Sequence, residues 1–449
     1  MSAPTQPGQS AQPTQPGLLG ETTRPTLLFY CQHSLGLGHL ARSLMLAEAL
    51  QSDFDVVLLN GGRLPEGAQV PPGVEVVNLP PLGHDTTLRQ LVSHDPAMGV
   101  EEAKVRRLSM VLETLERAQP QVVLIELYPF GRKAFEFELV PLLEAVKTVT
   151  RDSSPGPLVI CSLRDILVSG REDQARHDER AAQKVNAYFD GILVHSDPTF
   201  ARLEESFKPA TPLVVPVYYT GYVAPPADQT PVVERQPRLL VSSGGGMVGE
   251  PLVRAAVASH VALEAATGLS TTIVAGPFLP EPVWTWLQGE AERSPALTAI
   301  RQVPDLAHEI RCSALSLSQG GYNTTMDLLR AGTPAVVVPY DEGNENEQEM
   351  RARRLADLGV LRVVPARDLD AHLLPELLAA LAVQPLAVPL DLDGAGATTR
   401  LLRSLLSSVP ASRLSSRLPG RLAGRLAGRL AGTDPTDPPS TRDLSGVRA

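Results

Sequence analysis

Apolar residues arrive in short runs, and the segments between several of them carry helical apolar spacing. Thr26-Leu27-Leu28-Phe29-Tyr30-Cys31 is the first run. Its unbroken apolar character suits a strand buried on both faces of a parallel sheet. A Gly-rich turn follows, Ser34-Leu35-Gly36-Leu37-Gly38-His39, then helical apolar spacing over 40–50 and a second strand over 54–59. Residues 74–79, 122–125, 158–163 and 192–195 repeat the strand pattern, with a helix predicted over 100–118. A second unit opens the same way. A strand at 238–241 leads into Ser242-Ser243-Gly244-Gly245-Gly246 and a helix over 251–267. Strands recur at 271–275, 314–317 and 335–338, and 398–406 reads as a final amphipathic helix. Strands alternating with helices predict an α/β chain with parallel sheets covered on both faces.

The organisation that follows is a polar, Pro- and Gln-rich leader at 1–25, expected to be disordered, and an N-terminal Rossmann-like domain at 26–222. A Pro-rich linker at 223–237 joins it to a C-terminal Rossmann-like domain at 238–408, and a low-complexity tail runs over 409–449. The tail repeats Arg-Leu every four residues, a pattern that could lay a helix on a membrane surface. Its glycines each cost about 1 kcal/mol in a helix, so disorder is the expectation, with peripheral membrane contact the most that it allows.

Composition narrows the chemistry. The 449 residues are 43% hydrophobic and 20% charged, ordinary for globular cores. A formal net charge of -10 argues against a nucleic-acid partner. It does not argue against nucleotides, because backbone N–H groups bind phosphate without Lys or Arg. Cys31, Cys161 and Cys312 have no metal-ligand or disulfide spacing and read as buried thiols of a reducing compartment. The histidines show no paired spacing either, so no metal is expected. The leader has no basic start followed by an apolar stretch, and no apolar run is bilayer-length, so the expected location is cytoplasmic.

The richest segment runs from 315 to 352. Gly320-Gly321 ends a strand and opens a helix, where a side chain would keep a phosphate from the N–H groups and the positive end of the helix dipole. Asn323, Thr324 and Thr325 add donors on the first turn, and Asp327 lies further along, placed to accept from ribose hydroxyls. Alone, this is no more than a capped strand-to-helix turn. A hydrophilic loop, Asn344 to Gln348, follows the next strand at the same sheet edge, where ligands of open α/β sheets collect.

This segment resembles the donor site of GT-B glycosyltransferases, the MurG-like type with a glycosyltransferase family 28 C-terminal domain. The resemblance covers most of 26–406 and is stronger in the second half. It implies two doubly wound Rossmann-like domains facing a cleft, with the final helix crossing back to the N-terminal domain. It also implies that Gln319, Gly320, Gly321, Asn323 and Thr324 hold a diphosphate and Asp327 the ribose. Glu347-Gln348 would read the donor sugar, and the backbone of Val303 would meet the base. Ser243, Gly244 and Gly245 resemble a second diphosphate loop near the acceptor. Gly36, Gly38 and His39 resemble the N-terminal loop, with His39 as candidate general base. The Pro that follows this His in MurG is Leu40 here. Glu126 and Asp165 end N-domain strands, and either could orient the base or bind the acceptor; for Arg164-Asp165 a local ion pair capping a helix is the plainer reading.

The implied activity is metal- and cofactor-independent transfer of a sugar from a nucleotide-diphosphate donor, UDP-sugar foremost. The acceptor hydroxyl would belong to a lipid-linked or small-molecule sugar. Gly-x-Gly-His-x-x-Arg, Gly36 to Arg42, is also similar to a nucleotide-sugar hydrolase of the same fold. A non-catalytic sugar-nucleotide-binding subunit is the third reading.

Overall fold

The computed structural model describes residues 24–33, 38–65, 68–84, 90–151, 156–226, 234–340, 346–383 and 390–408. The expected leader, except Arg24 and Pro25, and the tail lie outside these residues.

The N-terminal apolar runs become β1 (Thr26–Cys31), α1 (Gly38–Leu50), β2 (Asp55–Asn60) and β3 (Val74–Asn78). A small antiparallel pair follows, β4 (Leu82–His84) and β5 (Leu91–Ser93), which the sequence pattern did not announce. Then come α2 (Val100–Ala118), β6 (Val122–Glu126), α3 (Glu136–Arg151), β7 (Leu158–Arg164), α4 (Gln174–Tyr188), β8 (Gly191–His195), α5 (Leu203–Ser206) and β9 (Val217–Tyr219). Seven strands form one parallel sheet in the order β3-β2-β1-β6-β7-β8-β9. β1, β6 and β8 are buried almost without a break, which is why their sequences run apolar rather than alternating.

The second unit comprises β10 (Gln236–Ser242), α6 (Glu250–Thr267), β11 (Ser270–Val274), α7 (Glu281–Arg293), β12 (Leu297–Ile300) and α8 (Leu306–Arg311). It continues through β13 (Ser313–Gln319), α9 (Tyr322–Ala331), β14 (Ala335–Val338), α10 (Glu347–Asp357), β15 (Arg362–Val363) and α11 (Leu369–Leu381). Its six strands are also parallel, in the order β12-β11-β10-β13-β14-β15. Strand order therefore reverses between β1 and β6 in one sheet and between β10 and β13 in the other. Such reversals open a crevice at the carboxyl ends of the strands.

The last helix, α12 (Gly394–Ser408), packs against α1. Leu402 and Leu406 complete a cluster with Leu27, Phe29, Leu46 and Leu50, so the chain does cross back. Part of the expected linker is core. Val223 and Ala224 are buried beside Tyr222 at the end of the first domain, and Val223 bridges antiparallel to Asp393 of the returning chain. The backbone N–H of Val223 donates to the Tyr322 hydroxyl, which donates in turn to the His195 carbonyl. A Pro-rich stretch looked like spacer because its partners lie far away in sequence.

Candidate active site

The crevice of the N-terminal sheet holds an imidazole–carboxylate pair. His39 is the second residue of α1, and Glu126 is the last of β6. The His39 Nδ1 lies 2.6 Å from the Glu126 carboxylate, which is fully buried and also accepts from Arg42 at 2.6 Å and Arg132 at 3.2 Å. Burial alone would raise the Glu126 carboxyl, but His39, Arg132 and Arg42 hold it far below the usual carboxylate range. Burial pushes the His39 imidazole down to about 4, against the opposing pull of Glu126. The ring is thus neutral near pH 7, and a buried carboxylate facing Nδ1 fixes the proton there. Nε2 is left with its lone pair, and the side chain is 21% exposed to the cleft.

Asp165, expected beside the base, is not there. It is fully buried and forms a two-pronged ion pair with Arg351 of α10, at 2.7 and 2.8 Å. Arg164 does not pair with its neighbour either. It reaches the carboxylate of Glu347, 3.1 Å away. The local ion pair read from the sequence is replaced by two pairs across the domain boundary, because the opposing domain brings complementary charges to the same sheet edge. Arg351 also binds Glu347. Glu347 is therefore buried under two guanidinium groups, which hold its carboxyl low against the effect of burial, and it does not stand open to a sugar. Gln348 accepts the Tyr340 backbone N–H at 3.1 Å.

The C-terminal crevice lies opposite. Gln319 ends β13, Gly320 follows, and Gly321 is the N-cap of α9. A Cβ on Gly320 would lie 3.1 Å from Val337 and 3.3 Å from the Pro339 backbone, whereas none at Gly321 would meet anything within 4 Å. The N-terminus of α9 is open there. Thr324 is buried on the first turn, and Thr325 donates to the Gly321 carbonyl at 2.9 Å. Asn323 spans the cleft, donating to the Gly38 carbonyl at 3.1 Å, while its Oδ1 is buried without a partner. Two helix N-termini, of α1 and α9, thereby meet at one place. Gly36 lies outside the described residues.

The loop after β10 is shaped by glycine. Gly244 and Gly246 have φ of 61° and 89°, and a Cβ on Gly246 would stand 2.5 Å from the Ala275 carbonyl. Gly245 follows in the same turn, its carbonyl accepting from the Phe278 N–H. Ser243, expected to contact phosphate, is buried and donates its hydroxyl to the Ala275 carbonyl at 2.5 Å. Its side chain secures the loop from behind. Val303 lies between β12 and α8, half-buried against the cluster that includes Ile310.

Asp327 forms no hydrogen bond or ion pair among the described residues, and burial, with Asp305 adding to it, pushes its carboxyl up to about 7. A folded-state pKa above the unfolded one means that the native state loses stability as pH rises from about 4 to 7. Asp327→Asn is expected to be more stable than the parent at pH 8, by roughly 1–3 kcal/mol, and equal to it near pH 4. Calorimetric Tm values at the two pH values check this; equal Tm at pH 8 would refute it.

Arg42, Arg132, Arg164 and Arg351 were not read as site residues from sequence. Arg42 had a signal: it sits three residues after His39, on the same helix face as buried Leu46. It lies over the Tyr322 ring, 5.4 Å from the centroid. Arg351 had one too, at i+4 from Glu347, and Arg132 lies close in sequence to Glu126, but the contacts of Arg164 with Glu347 and of Arg351 with Asp165 are set only by the domain arrangement. Among the described residues there is no group of metal-ligating side chains, and no helix is long and apolar enough to cross a membrane.

Two doubly wound domains with open helix N-termini and glycine loops at facing strand-order reversals define a GT-B architecture. Residues 245–390 match the glycosyltransferase family 28 C-terminal domain. The chain is 30% identical over 232 residues to the UDP-N-acetylglucosamine--N-acetylmuramyl-(pentapeptide) pyrophosphoryl-undecaprenol N-acetylglucosamine transferase of Chelativorans sp. (strain BNC1). That match takes in 49% of this chain and 58% of the relative, less than two thirds of the relative's length. Among solved structures, the glycotransferase of kitacinnamycin superposes with a TM-score of 0.52 at 15% identity, over 86% of this chain and 100% of the other. CalG4, the calicheamicin glycosyltransferase, superposes at 0.50 with 18% identity, over 92% of this chain and 100% of the other. Both share the GT-B fold with this chain.

Proposed function

We infer that the protein transfers a glycosyl group from a nucleotide-diphosphate sugar to an acceptor hydroxyl. The observation that carries this is the neutral His39–Glu126 pair facing the open N-terminus of α9, with Asn323 joined to Gly38 across the cleft. In this reading the donor diphosphate rests on the N–H groups of α9 and of the loop at 244–246, with Asp327 on the ribose and the backbone near Val303 against the base. The His39 Nε2 takes the proton of the acceptor hydroxyl as that oxygen attacks the anomeric carbon. The sugar–phosphate bond breaks, and the diphosphate leaves onto the helix N-termini. These dipoles do the work of a divalent cation, so the reaction is metal-independent. Glu126 keeps the imidazole in the accepting tautomer and stabilises the imidazolium that forms.

UDP is the expected nucleotide, as in the name of the Chelativorans relative, whose acceptor is a pyrophosphoryl-undecaprenol. A lipid-linked or small-molecule sugar at a cytoplasmic site fits this chain. Hydrolysis is the same chemistry with water as nucleophile, and Arg42 of Gly-x-Gly-His-x-x-Arg does serve the same carboxylate as His39.

The test is a thermal-shift screen of UDP, GDP, TDP and ADP, repeated with EDTA. One diphosphate should raise Tm selectively, with EDTA indifferent; at a hundred times its Kd it contributes about 2.7 kcal/mol. No shift with any of them would discard the donor site. Sugar release from the matching donor without acceptor, at a rate unchanged by added acceptors, would make the protein a hydrolase.

A further inference from the structure

Among the described residues the charges around His39 do not balance. Four guanidinium groups converge there, Arg42, Arg132, Arg164 and Arg351, against three carboxylates, Glu126, Asp165 and Glu347. Every one of the three carboxylates is already bonded to at least one arginine. His39 between them is neutral, so it neither adds to the surplus nor offsets it. A buried positive charge without a counter-ion is costly, and proteins keep one where a ligand supplies the anion.

The surplus can be located. Arg42 and Arg351 are closed off, 1–2% exposed: Arg351 is taken up by Asp165 and Glu347, and Arg42 is enclosed on Glu126 with its own Nε also lacking a partner. Arg132 and Arg164 are the open pair, with side chains 14% and 16% exposed. Each has one carboxylate contact, at 3.2 and 3.1 Å, and each has a buried Nε with no partner. Arg164 is the last residue of β7 and Arg132 follows the end of β6 by six residues, neighbouring strands of the N-terminal sheet, and both thus lie on the acceptor side of the cleft. Arg132 holds a left-handed backbone, φ 63°, a conformation that is costly for a non-glycine residue. That cost is sustained at a position whose side chain is turned toward Glu126 and His39.

We propose that Arg132 and Arg164 form a subsite for a compact anion, a carboxylate or phosphate, carried by the substrate on the His39 side of the cleft. The assignment to a substrate rests on the glycosyl-transfer reading; the anion seat itself does not. A planar guanidinium with free N–H donors matches either oxyanion in two-pronged fashion. The group is distinct from the donor diphosphate, which the glycine loops and helix N-termini of the other domain receive. It belongs either to the acceptor or to the donor sugar, as in a uronic acid.

Inorganic phosphate is the probe. In the full-length protein, 10 mM phosphate should raise Tm by about 2 °C or more, both alone and with saturating UDP, with ionic strength held constant by chloride. Arg132→Gln and Arg164→Gln should each abolish the shift, and Arg164→Lys should keep part of it. In [13C]histidine-labelled protein, phosphate should also move the His39 titration to higher pH, since a nearby anion favours imidazolium. A shift that disappears once UDP saturates would place the anion in the diphosphate seat and overturn the proposal. So would a shift that survives both glutamine variants, or no shift at all. Repeating the titration with UDP-glucose and with UDP-glucuronate separates the sources. Persistence with both puts the anion on the acceptor, and competition by UDP-glucuronate alone puts it on the donor sugar. If UDP itself does not bind, the glycosyl-transfer reading fails while the phosphate result still decides the subsite.

Discussion

His39→Ala is expected to bind nucleotide as the parent does and to turn over donor about a hundredfold more slowly or worse. The expectation rests on geometry: Nε2 is the free nitrogen, and the other is fixed by a carboxylate 2.6 Å away. The pH profile gives a second signature. An exposed histidine loses its basic form below about 6.5, whereas burial has pushed this one down to about 4. Protonation removes the base, so the rate falls as pH drops through 4 and stays flat from 5 to 8 as far as His39 governs it. Glu126→Gln removes the carboxylate that favours imidazolium and should move this limb to still lower pH while lowering kcat. Donor consumption followed by chromatography over pH 3.5–8 checks both. Full activity in His39→Ala, or an acid limb near 6.5 in the parent, would eliminate the dyad as the base.

Arg351→Ala should destabilise the protein by about 3–5 kcal/mol, because it strands Asp165 as a buried carboxylate and leaves Glu347 with Arg164 alone. The residue lies in α10, whereas Asp165 belongs to the other domain, so the loss falls on the domain contact. Calorimetry should show one transition in the parent and two in the variant. Asp165→Asn combined with Arg351→Met should cost less than the separate losses added together, since the pair is removed as a unit. A loss below about 1 kcal/mol for Arg351→Ala would mean that the ion pair does not tie the domains.

Much of the fold was legible because parallel strands buried on both faces announce themselves as apolar runs. Residues 122–125 and 192–195 show this: their strands are buried throughout. The edges were less legible. β15 has only two residues, Arg362–Val363, and carries no pattern. In the site, glycine positions were readable because a Cβ at Gly246 has nowhere to go and one at Gly320 would be crowded by Val337 and Pro339. Ser243 was misread because a hydroxyl beside a glycine turn can face either way, and here it faces Ala275. Asp165 and Glu347 were misread for a different reason. Arg351 lies 186 residues from Asp165, so nothing local marked that carboxylate as paired, whereas Glu347 has Arg351 at i+4 on its own helix, a local signal that was passed over. Glu126 was a candidate for orienting the base, and its neighbours in space, not in sequence, single it out.

The return of α12 onto α1 has a consequence for synthesis. A ribosome delivers the first 222 residues long before residues 394–408, yet Leu402 and Leu406 are needed to finish the cluster around Phe29 and Leu46. The first domain therefore waits, its α1 flank uncovered, until α12 has left the exit tunnel. At about 5–20 residues per second, that interval lasts roughly ten to forty seconds. During it, the nascent chain presents a sticky apolar seam that chaperones can hold, and a message truncated before codon 394 would leave that seam permanently open.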